Sequence, residues 1–288
     1  MTTQLQLLTP EIVDQIFNEA FQLLENHGVR VQSAEARALL AEAGARVDEN
    51  REVAHLHEGL IRQALASVPH EFYLYDRAGE PAVHYGGDSV HFDPGSSCVN
   101  VLDPETLEHY PAQTADFVRL IQVTESLPQY AAQSTAVVCG EMPKEIGDLY
   151  RLYLVMLYSG KPVVTGGFAV PSTEIMFDML ALYAGGRAAL AQKPRAVFDV
   201  CPTPPLTWSD FGADSLLALA RARVPAQIVS MPLAGAGSPV TILGSVVQHT
   251  AECLSGITIH QLAQPGAPIV WGGAPAIFDM RHGTTPMG

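Results

Sequence analysis

The sequence predicts an α/β protein with a parallel sheet, and within that class a (β/α)8 TIM-type barrel. From about residue 114 onward, apolar strand candidates alternate with helical stretches, and such alternation requires parallel strands. Only 16% of the 288 residues are charged and 48% are hydrophobic, which favours elements that are buried on both faces. A doubly wound sheet shares this pattern, so the choice between the two folds depends on the strand ends.

The strand candidates end in loops rich in Gly and Pro: "TGGFAVP", "CPTPPLTW", "PLAGAGSP" and "WGGAP". A barrel brings all such loops to one site at the carboxyl ends of its strands. In a doubly wound sheet only the loops near the switch point need elaboration. The repetition therefore favours the barrel.

Residues 1–110 are predicted to form a helical and β-hairpin segment that packs on the barrel. Its three helices begin at Pro10, Ser33 and Leu56 and end before Gly28, before Gly44 and at Ser67. The alternating stretch "EFYLYDR" predicts a strand, and the glycine and Asp-Pro turns that follow it predict one or two hairpins.

Residues 111–288 are predicted to supply the βα units of the barrel. Thr114 is expected to cap the first helix, and the strand candidates are "YAAQSTAVV", "KPVVTGGF", "RAVFDVCP", "AQIVSMPLAGAG" and "APIVWGGAP". Five or six strands are fewer than the eight of a closed barrel, so we expect the barrel to be incomplete in this chain.

Composition excludes several classes of function. A formal net charge of -14 without any cluster of Lys or Arg makes nucleic acid a poor partner. No apolar run reaches the roughly 18 residues of a membrane helix, and the N-terminus lacks the features of a signal peptide, so a cytoplasmic location is expected. The four cysteines lie far apart and no H-E-x-x-H motif occurs, so no metal site is predicted and no catalytic residue is identified.

The loop "MPLAGAGSPVTILG" has the G-x-G spacing of a dinucleotide site between a strand and a helix. Val240 stands where the third glycine of that motif would be, and the acidic residue at the end of a second strand is missing. The loop is therefore predicted to be a tight turn at the barrel mouth. Free N–H groups of Gly235, Gly237 and Ser238 remain candidates for binding a substrate carboxylate.

Three aromatic residues follow or end strand candidates, where a barrel would place its site. They are Phe168, Trp208 and Trp271. Aromatic faces attract quaternary ammonium groups, so these residues are predicted to form a cage, although a hydrophobic plug is an equal alternative. Glu252 lies in an otherwise apolar helix, and its buried carboxylate must either bracket a neighbouring loop or belong to the site.

The last sixty or so residues also carry an ordered set of motifs: Gly-Ala and Pro-Val-Thr in the loop, Ala-Glu and Gln-Leu in the helix, a Pro-Gly-Ala-Pro turn, and Asp-Met-Arg before Gly283. These motifs occupy positions 235, 236, 239–241, 251, 252, 261, 262, 265–268, 279–281 and 283. In this region the sequence resembles the trimethylamine methyltransferase (MttB) family. The N-terminal stretch "LTPEIVDQIFNEAFQLLENHGVRV" and the "CPTPPL" turn extend the resemblance to the whole chain.

The resemblance implies a barrel enzyme that moves a methyl group from trimethylamine, or from a quaternary amine such as glycine betaine, to the cobalamin (corrinoid) of a partner protein. It implies that this chain binds no cofactor directly, that Glu252 and Asp279 shape the loops or the site, and that the chain is truncated at its C-terminus. A homo-oligomer is also expected. The alternatives are a non-catalytic protein that binds quaternary amines, and a different barrel enzyme that acts on a small anion.

Overall fold

The computed structural model describes residues 6–286 of the chain. Three helices and three short strands come first: α1 (Pro10–Asn26), β1 (Val29–Val31), α2 (Ala34–Glu42), β2 (Arg46–Asp48), β3 (Val53–His55) and α3 (Glu58–Ser67). These helices agree with the predicted ones. Gly28 has a φ of 79°, the left-handed conformation that lets a glycine end α1.

Two hairpins follow, as the turn residues predict. The first consists of β4 (Phe72–Tyr75) and β5 (Pro81–Tyr85), and the second of β6 (Asn100–Leu102) and β7 (His109–Pro111). Each pair is antiparallel. The segment between the hairpins, residues 86–99, runs beside the first strand of the main sheet through bridges from Phe92 to Tyr130 and from Cys98 to Val137.

The rest of the chain alternates helices with strands. The elements are α4 (Thr114–Ser126), β8 (Gln133–Ser134), a 3-10 turn (Lys144–Ile146), α5 (Gly147–Tyr158), β9 (Val163–Thr165), α6 (Val170–Ala184), α7 (Arg187–Gln192), β10 (Ala196–Val200), β11 (Thr207–Trp208), α8 (Asp210–Ala222), β12 (Ala226–Ser230), β13 (Leu233–Ala234), α9 (Ile242–Ala263), β14 (Ile269–Gly273) and β15 (Ala276–Ile277). Helix α4 is capped by Gln113, one residue before the predicted cap, and the helix α7 was not predicted.

The main sheet has five parallel strands in the order β14-β12-β10-β9-β8. The α/β class with a parallel sheet is thus confirmed. The strands follow their chain order across the sheet, without the reversal that defines the switch point of a doubly wound fold. This order is what an arc of a barrel requires, whereas closure into a complete barrel stays a prediction.

The two faces of the main sheet have different coverings. We call the face that carries Val163, Phe198 and Ile228 the helix face, because these residues pack in the large core beneath the helices. The opposite face, which we call the inner face, carries Val164 and Val197. These two residues pack with Leu74 and Val83 of the first hairpin and with Ala132. The hairpin β4-β5 therefore covers part of the inner face.

The N-terminal segment is joined to the rest of the fold by backbone pairing and by helix packing. Strand β11, which follows β10 in the chain, pairs in parallel with β1, so that Arg30 lies in register with Thr207. Helix α9 packs against both α1 and α3. No helix within residues 6–286 is long and apolar enough to cross a membrane.

Candidate functional site

Two polar side chains lie beside each other on the inner face, one near the carboxyl end of β10 and one near the amino end of β12. Asp199 of β10 and Gln227 of β12 are partners in the parallel register and point to the same face as Val197. On β14, Gly272 leaves room for the Gln227 side chain, because a Cβ at that position would lie 3.1 Å from Cγ of Gln227. The inner face therefore carries a polar pair, Asp199 and Gln227, next to apolar residues such as Val164 and Val197.

Asp199 carries a carboxylate that the described residues do not neutralise. Its Oδ1 atom is buried without a hydrogen-bond partner. Burial, and then the negative charge of Asp93, raise the pKa of this carboxyl group to about 7. A carboxylate in such a place is stabilised by any cation that comes within reach.

A cavity of about 320 Å³ lies between the inner face and the segment that follows β5. Val83, Ala132 and Val164 form its apolar floor, and Tyr85, Asp93, Gln227, His84 and His91 contribute polar groups. Among the described residues, neither Lys nor Arg lines it. A volume of this size is within the usual range for small-molecule sites.

The polar groups around this cavity are held in place by neighbours in the hairpin. Tyr85 stacks on Phe72 with the ring centroids 4.9 Å apart, and burial followed by the charges of Asp93 and Asp199 raises the pKa of its phenol. Its hydroxyl therefore stays protonated at neutral pH. The imidazole of His84 contacts Ser89 Oγ at 2.7 Å and Glu71 Oε2 at 3.1 Å, which holds its ring in place.

The three aromatic residues of the predicted cage do not meet in the structure. Trp208 is 0% exposed and packs in the core, where its indole N–H donates to Ser255 Oγ at 2.9 Å. Its ring lies against Gly256 of α9. The structure therefore corrects the prediction that Trp208 contacts substrate, because the ring is fully buried in the core against α9.

Trp271 lies on the helix face of the sheet, because it alternates with the inward-facing Val270. Its ring meets Phe17 of α1 edge-to-face at 6.0 Å, and its indole N–H donates to His249 Nε2 at 3.2 Å. It is 38% exposed. The pleat of β14 thus turns Trp271 away from the inner face. The sequence places Trp271 at the end of a strand, and that position alone does not show to which face its side chain points.

Phe168 follows β9 as predicted, and is 49% exposed. One face of its ring is covered by the guanidinium of Arg151, 4.5 Å from the centroid. Its backbone N–H donates to Asp148 Oδ2 at 2.7 Å. Strands β9 and β14 are three strand spacings apart, or about 14 Å along a flat sheet, so Phe168 and Trp271 do not form one cage.

The turn at residues 235–238 uses its own N–H groups. Gly237 and Ser238 both donate to the carbonyl of Leu233, at 3.0 and 3.1 Å, and Gly235 donates to the carbonyl of Ser238 at 3.1 Å. The hypothesis that these amides are free to bind a carboxylate is wrong, because the turn itself satisfies them. The prediction of a tight turn in this loop is confirmed.

Glu252 was expected either to hold a neighbouring loop in place or to belong to the site, and its hydrogen bonds in the structure are of the first kind. It is 0% exposed, and its Oε1 accepts hydrogen bonds from Leu206 N and Gln248 Nε2, both at 3.0 Å. Its Oε2 accepts from Ser230 Oγ at 2.6 Å. Glu252 therefore ties α9 to the end of β12 and to the loop after β10.

Asp279 shapes an exposed turn near the end of the described chain. Its Oδ1 accepts from the backbone N–H of Arg281 at 2.8 Å, and its Oδ2 contacts His282 Nδ1 at 2.8 Å. The hydrogen bonds from His282 and Arg281 lower the pKa of this carboxyl group. The expectation that Asp279 shapes a loop agrees with this geometry.

Three thiols have raised pKa values, two in the buried residues Cys139 and Cys253 and one in Cys201, an exposed residue whose sulfur is partly desolvated. Burial, and then the charge of Asp199, raise the pKa of Cys201 to about 11. Burial is also the main cause of the raised pKa values of Cys139 and Cys253. These groups remain thiols at neutral pH and are weak nucleophiles.

Within residues 6–286, no group of three or more His, Cys, Asp or Glu side chains is arranged to hold a metal ion.

Sequence reasoning missed Asp199, Tyr85, Asp93 and Gln227. One signal was present, since "AVFDV" places a single acid at an alternating position within an apolar strand. Such a position shares a face with its neighbours two residues away. The contribution of the hairpin β4-β5 could not be found this way, because its contact with the sheet joins distant parts of the sequence.

Comparison with known proteins connects the chain to one family. The sequence profile described as trimethylamine methyltransferase (MTTB) matches residues 1–288. A trimethylamine methyltransferase of Methanosarcina thermophila is 30% identical over 99% of this chain and 60% of its own length. A second trimethylamine methyltransferase, from Desulfitobacterium hafniense, is 28% identical over 95% of this chain and 55% of its own length.

A glycine betaine methyltransferase of Desulfitobacterium hafniense is also similar, with 26% identity over 98% of this chain and 58% of its own length. The chain thus spans less than two thirds of the length of each of these relatives. The match of the profile nevertheless extends from the first residue to the last. This chain belongs to the trimethylamine methyltransferase (MTTB) family.

Proposed function

We propose that the protein transfers a methyl group from a methylated amine, either trimethylamine or a quaternary amine such as glycine betaine, to a corrinoid carried by a partner protein. The observation that carries this proposal is the family match over the whole chain. The names of the relatives supply the two classes of amine. The proposal concerns the whole protein, and the chain spans less than two thirds of the length of these relatives.

The chemistry of the described residues fits a nucleophile that comes from outside this chain. The thiols of Cys139, Cys201 and Cys253 have raised pKa values, so they do not supply a thiolate at neutral pH. A reduced corrinoid on the partner would supply the electron pair that forms the new bond to the methyl carbon. The nitrogen keeps the electron pair of the broken C–N bond and leaves as a neutral amine, so a quaternary substrate needs no general acid.

The protein's own contribution is to hold the amine with one methyl group directed toward the partner. We assign this role to the cavity on the inner face, where Tyr85, Asp93 and Gln227 line an apolar floor and Asp199 is the neighbour of Gln227 on the adjacent strand. Positioning of this kind lowers the barrier by fixing the reacting groups before the reaction begins. Phe168, at the carboxyl end of β9, remains a candidate wall through the ring face opposite Arg151.

The test is a methyl-transfer assay with the full-length protein and a reduced corrinoid protein. Trimethylamine, glycine betaine, carnitine and choline are each supplied, and the demethylated amine is measured by mass spectrometry. We expect one of these substrates to lose a methyl group only when the reduced corrinoid protein is present. No release of a demethylated product from any of the four would contradict the proposal.

A protein that binds quaternary amines without reacting with them is the second candidate. The cavity on the inner face favours it equally, since that cavity offers binding groups without an activated nucleophile. Tight binding of an amine without corrinoid-dependent demethylation would support this alternative. An enzyme acting on a small anion is disfavoured, because the carboxylates of Asp199 and Asp93 repel anions.

A further inference from the structure

We propose that Asp199, together with the nearby Asp93, is the counter-charge that holds the ammonium group of the methylated amine on the inner face. This inference rests on the proposed function for its choice of substrate class. It adds the residue that recognises the positive charge. The geometry that carries it is the orphaned Oδ1 atom of Asp199, whose strand neighbour Gln227 lines a cavity without a Lys or Arg side chain among the described residues.

The cavity combines two properties that a methylated ammonium ion needs. Its floor of Val83, Ala132 and Val164 is apolar and suits N-methyl groups, which donate no conventional hydrogen bonds. The carboxylate of Asp93 in its lining, and that of Asp199 next to Gln227, suit the positive charge of the ion. A metal cation would require several oxygen ligands at short range, and this apolar floor does not offer them.

The inner face is arranged so that a positive charge would relieve an existing repulsion. The charge of Asp93 contributes to the raised pKa of Asp199, and both carboxylates contribute to the raised pKa of Tyr85. The three groups therefore lie within electrostatic reach of one another. A cation placed among them favours the ionised form of Asp199 and so displaces its proton.

The groups that face Asp199 come from three parts of the fold. They are Asp93 in the segment after β5, Tyr85 on β5, Cys201 just after β10 and Gln227 on β12, while the imidazoles of His84 and His91 line the adjacent cavity. The phenol and the thiol stay protonated at neutral pH because their pKa values are raised. The carboxyl group of Asp199, with a pKa of about 7, is expected to release a proton when a cation binds, and loss of that release in Asp199→Asn would identify it as the source.

The experiment is isothermal titration of the full-length protein with tetramethylammonium near pH 7, in two buffers with different enthalpies of ionisation. The difference between the measured heats gives the number of protons released. For the wild type we expect about half a proton per bound ion, because a group with a pKa of about 7 is half protonated there. Asp199→Asn should weaken binding about tenfold or more and abolish the release.

Two further variants separate recognition from a structural effect. Glu42→Gln removes one negative charge from the exposed end of α2 and should leave both binding and proton release unchanged. Asp93→Asn removes the neighbouring charge, so Asp199 should ionise at lower pH and release fewer protons near pH 7. Circular dichroism of each variant checks that the fold is retained.

Three results would overturn the inference. They are binding that Asp199→Asn leaves unchanged, binding by the wild type without proton release, and no binding of tetramethylammonium at all. If methyl transfer proceeds but Asp199→Asn does not weaken amine binding, the inference fails while the proposed function stands. If tetramethylammonium binds through Asp199 but no amine is demethylated, the proposed function fails while the inference stands.

Discussion

At the residue scale, the acids of this chain differ in what surrounds them. The carboxylate of Glu252 accepts hydrogen bonds at both oxygens and is fully buried, whereas Asp199 leaves one oxygen atom without a partner. A satisfied buried carboxylate supports the fold, and an unsatisfied one costs stability unless a ligand completes it. This contrast is the reason for assigning structure to Glu252 and binding to Asp199.

The pH dependence of the free energy of unfolding should reveal the raised pKa of Asp199. Its pKa is raised from 3.8 to about 7 in the folded protein, so the folded state holds this proton more tightly than the unfolded state. The contribution of Asp199 to the free energy of unfolding is therefore full below about pH 4, and this contribution is lost as the pH rises to about 7. Above about pH 7, Asp199→Asn should have a larger free energy of unfolding than the wild type, by on the order of 3 kcal/mol.

Urea denaturation of both proteins at several pH values between 5 and 8 measures this difference. The gap between Asp199→Asn and the wild type should widen with rising pH and level off above about pH 7. A gap that does not change with pH would show that Asp199 titrates normally in the folded protein.

Removing the bracket at Glu252 should have the opposite effect on stability. Glu252→Ala leaves the N–H of Leu206 and the amide of Gln248 without their acceptor and opens a space in the core. We expect a loss on the order of 3 kcal/mol at neutral pH, measured by chemical denaturation. Glu42→Ala on the exposed end of α2 is the control and should change stability little. A loss for Glu252→Ala no larger than for this control would contradict the bracket.

At the element scale, helix α9 holds the molecule together through close contact with its neighbours. It packs on α1, α3 and α8 and lies against β12, and Gly256 is the point of closest approach to Trp208. The tryptophan that the sequence placed at the mouth is thus a core residue of this helix contact. The sequence placed Trp208 in the loop after the strand that became β10, whereas in the structure it belongs to β11, which pairs with β1 outside the main sheet.

The close approach at Gly256 gives a prediction about packing. A Cβ there would lie 2.4 Å from the Trp208 ring and 2.8 Å from Ile228 Cδ1, so Gly256→Ala should destabilise the protein by about 1–3 kcal/mol. At Gly147, in the first turn of α5, a Cβ meets nothing within 4 Å and φ is -60°. Gly147→Ala should therefore be neutral or slightly stabilising. Thermal denaturation compares the two, and an equal effect of both substitutions would contradict the close packing of α9 on Trp208.

At the scale of the whole molecule, local patterns carried the prediction of the fold. Apolar periodicity and the stop at Gly28 located the N-terminal helices, and the alternation of strands with helices gave the parallel sheet. The site was harder to predict, because it depends on contacts between distant segments. The pleat turns Trp271 to the helix face, and the hairpin that carries Tyr85 reaches the sheet only in the folded protein.

The central claim is that a methylated ammonium ion binds on the inner face of the main sheet. A crystal structure of the full-length protein with tetramethylammonium tests it most directly. We predict that the ion lies in the cavity between the sheet and the segment after β5, with its nitrogen beside the carboxylate of Asp199. An ion bound on the helix face against Trp271, or anywhere out of reach of Asp199, would contradict the account.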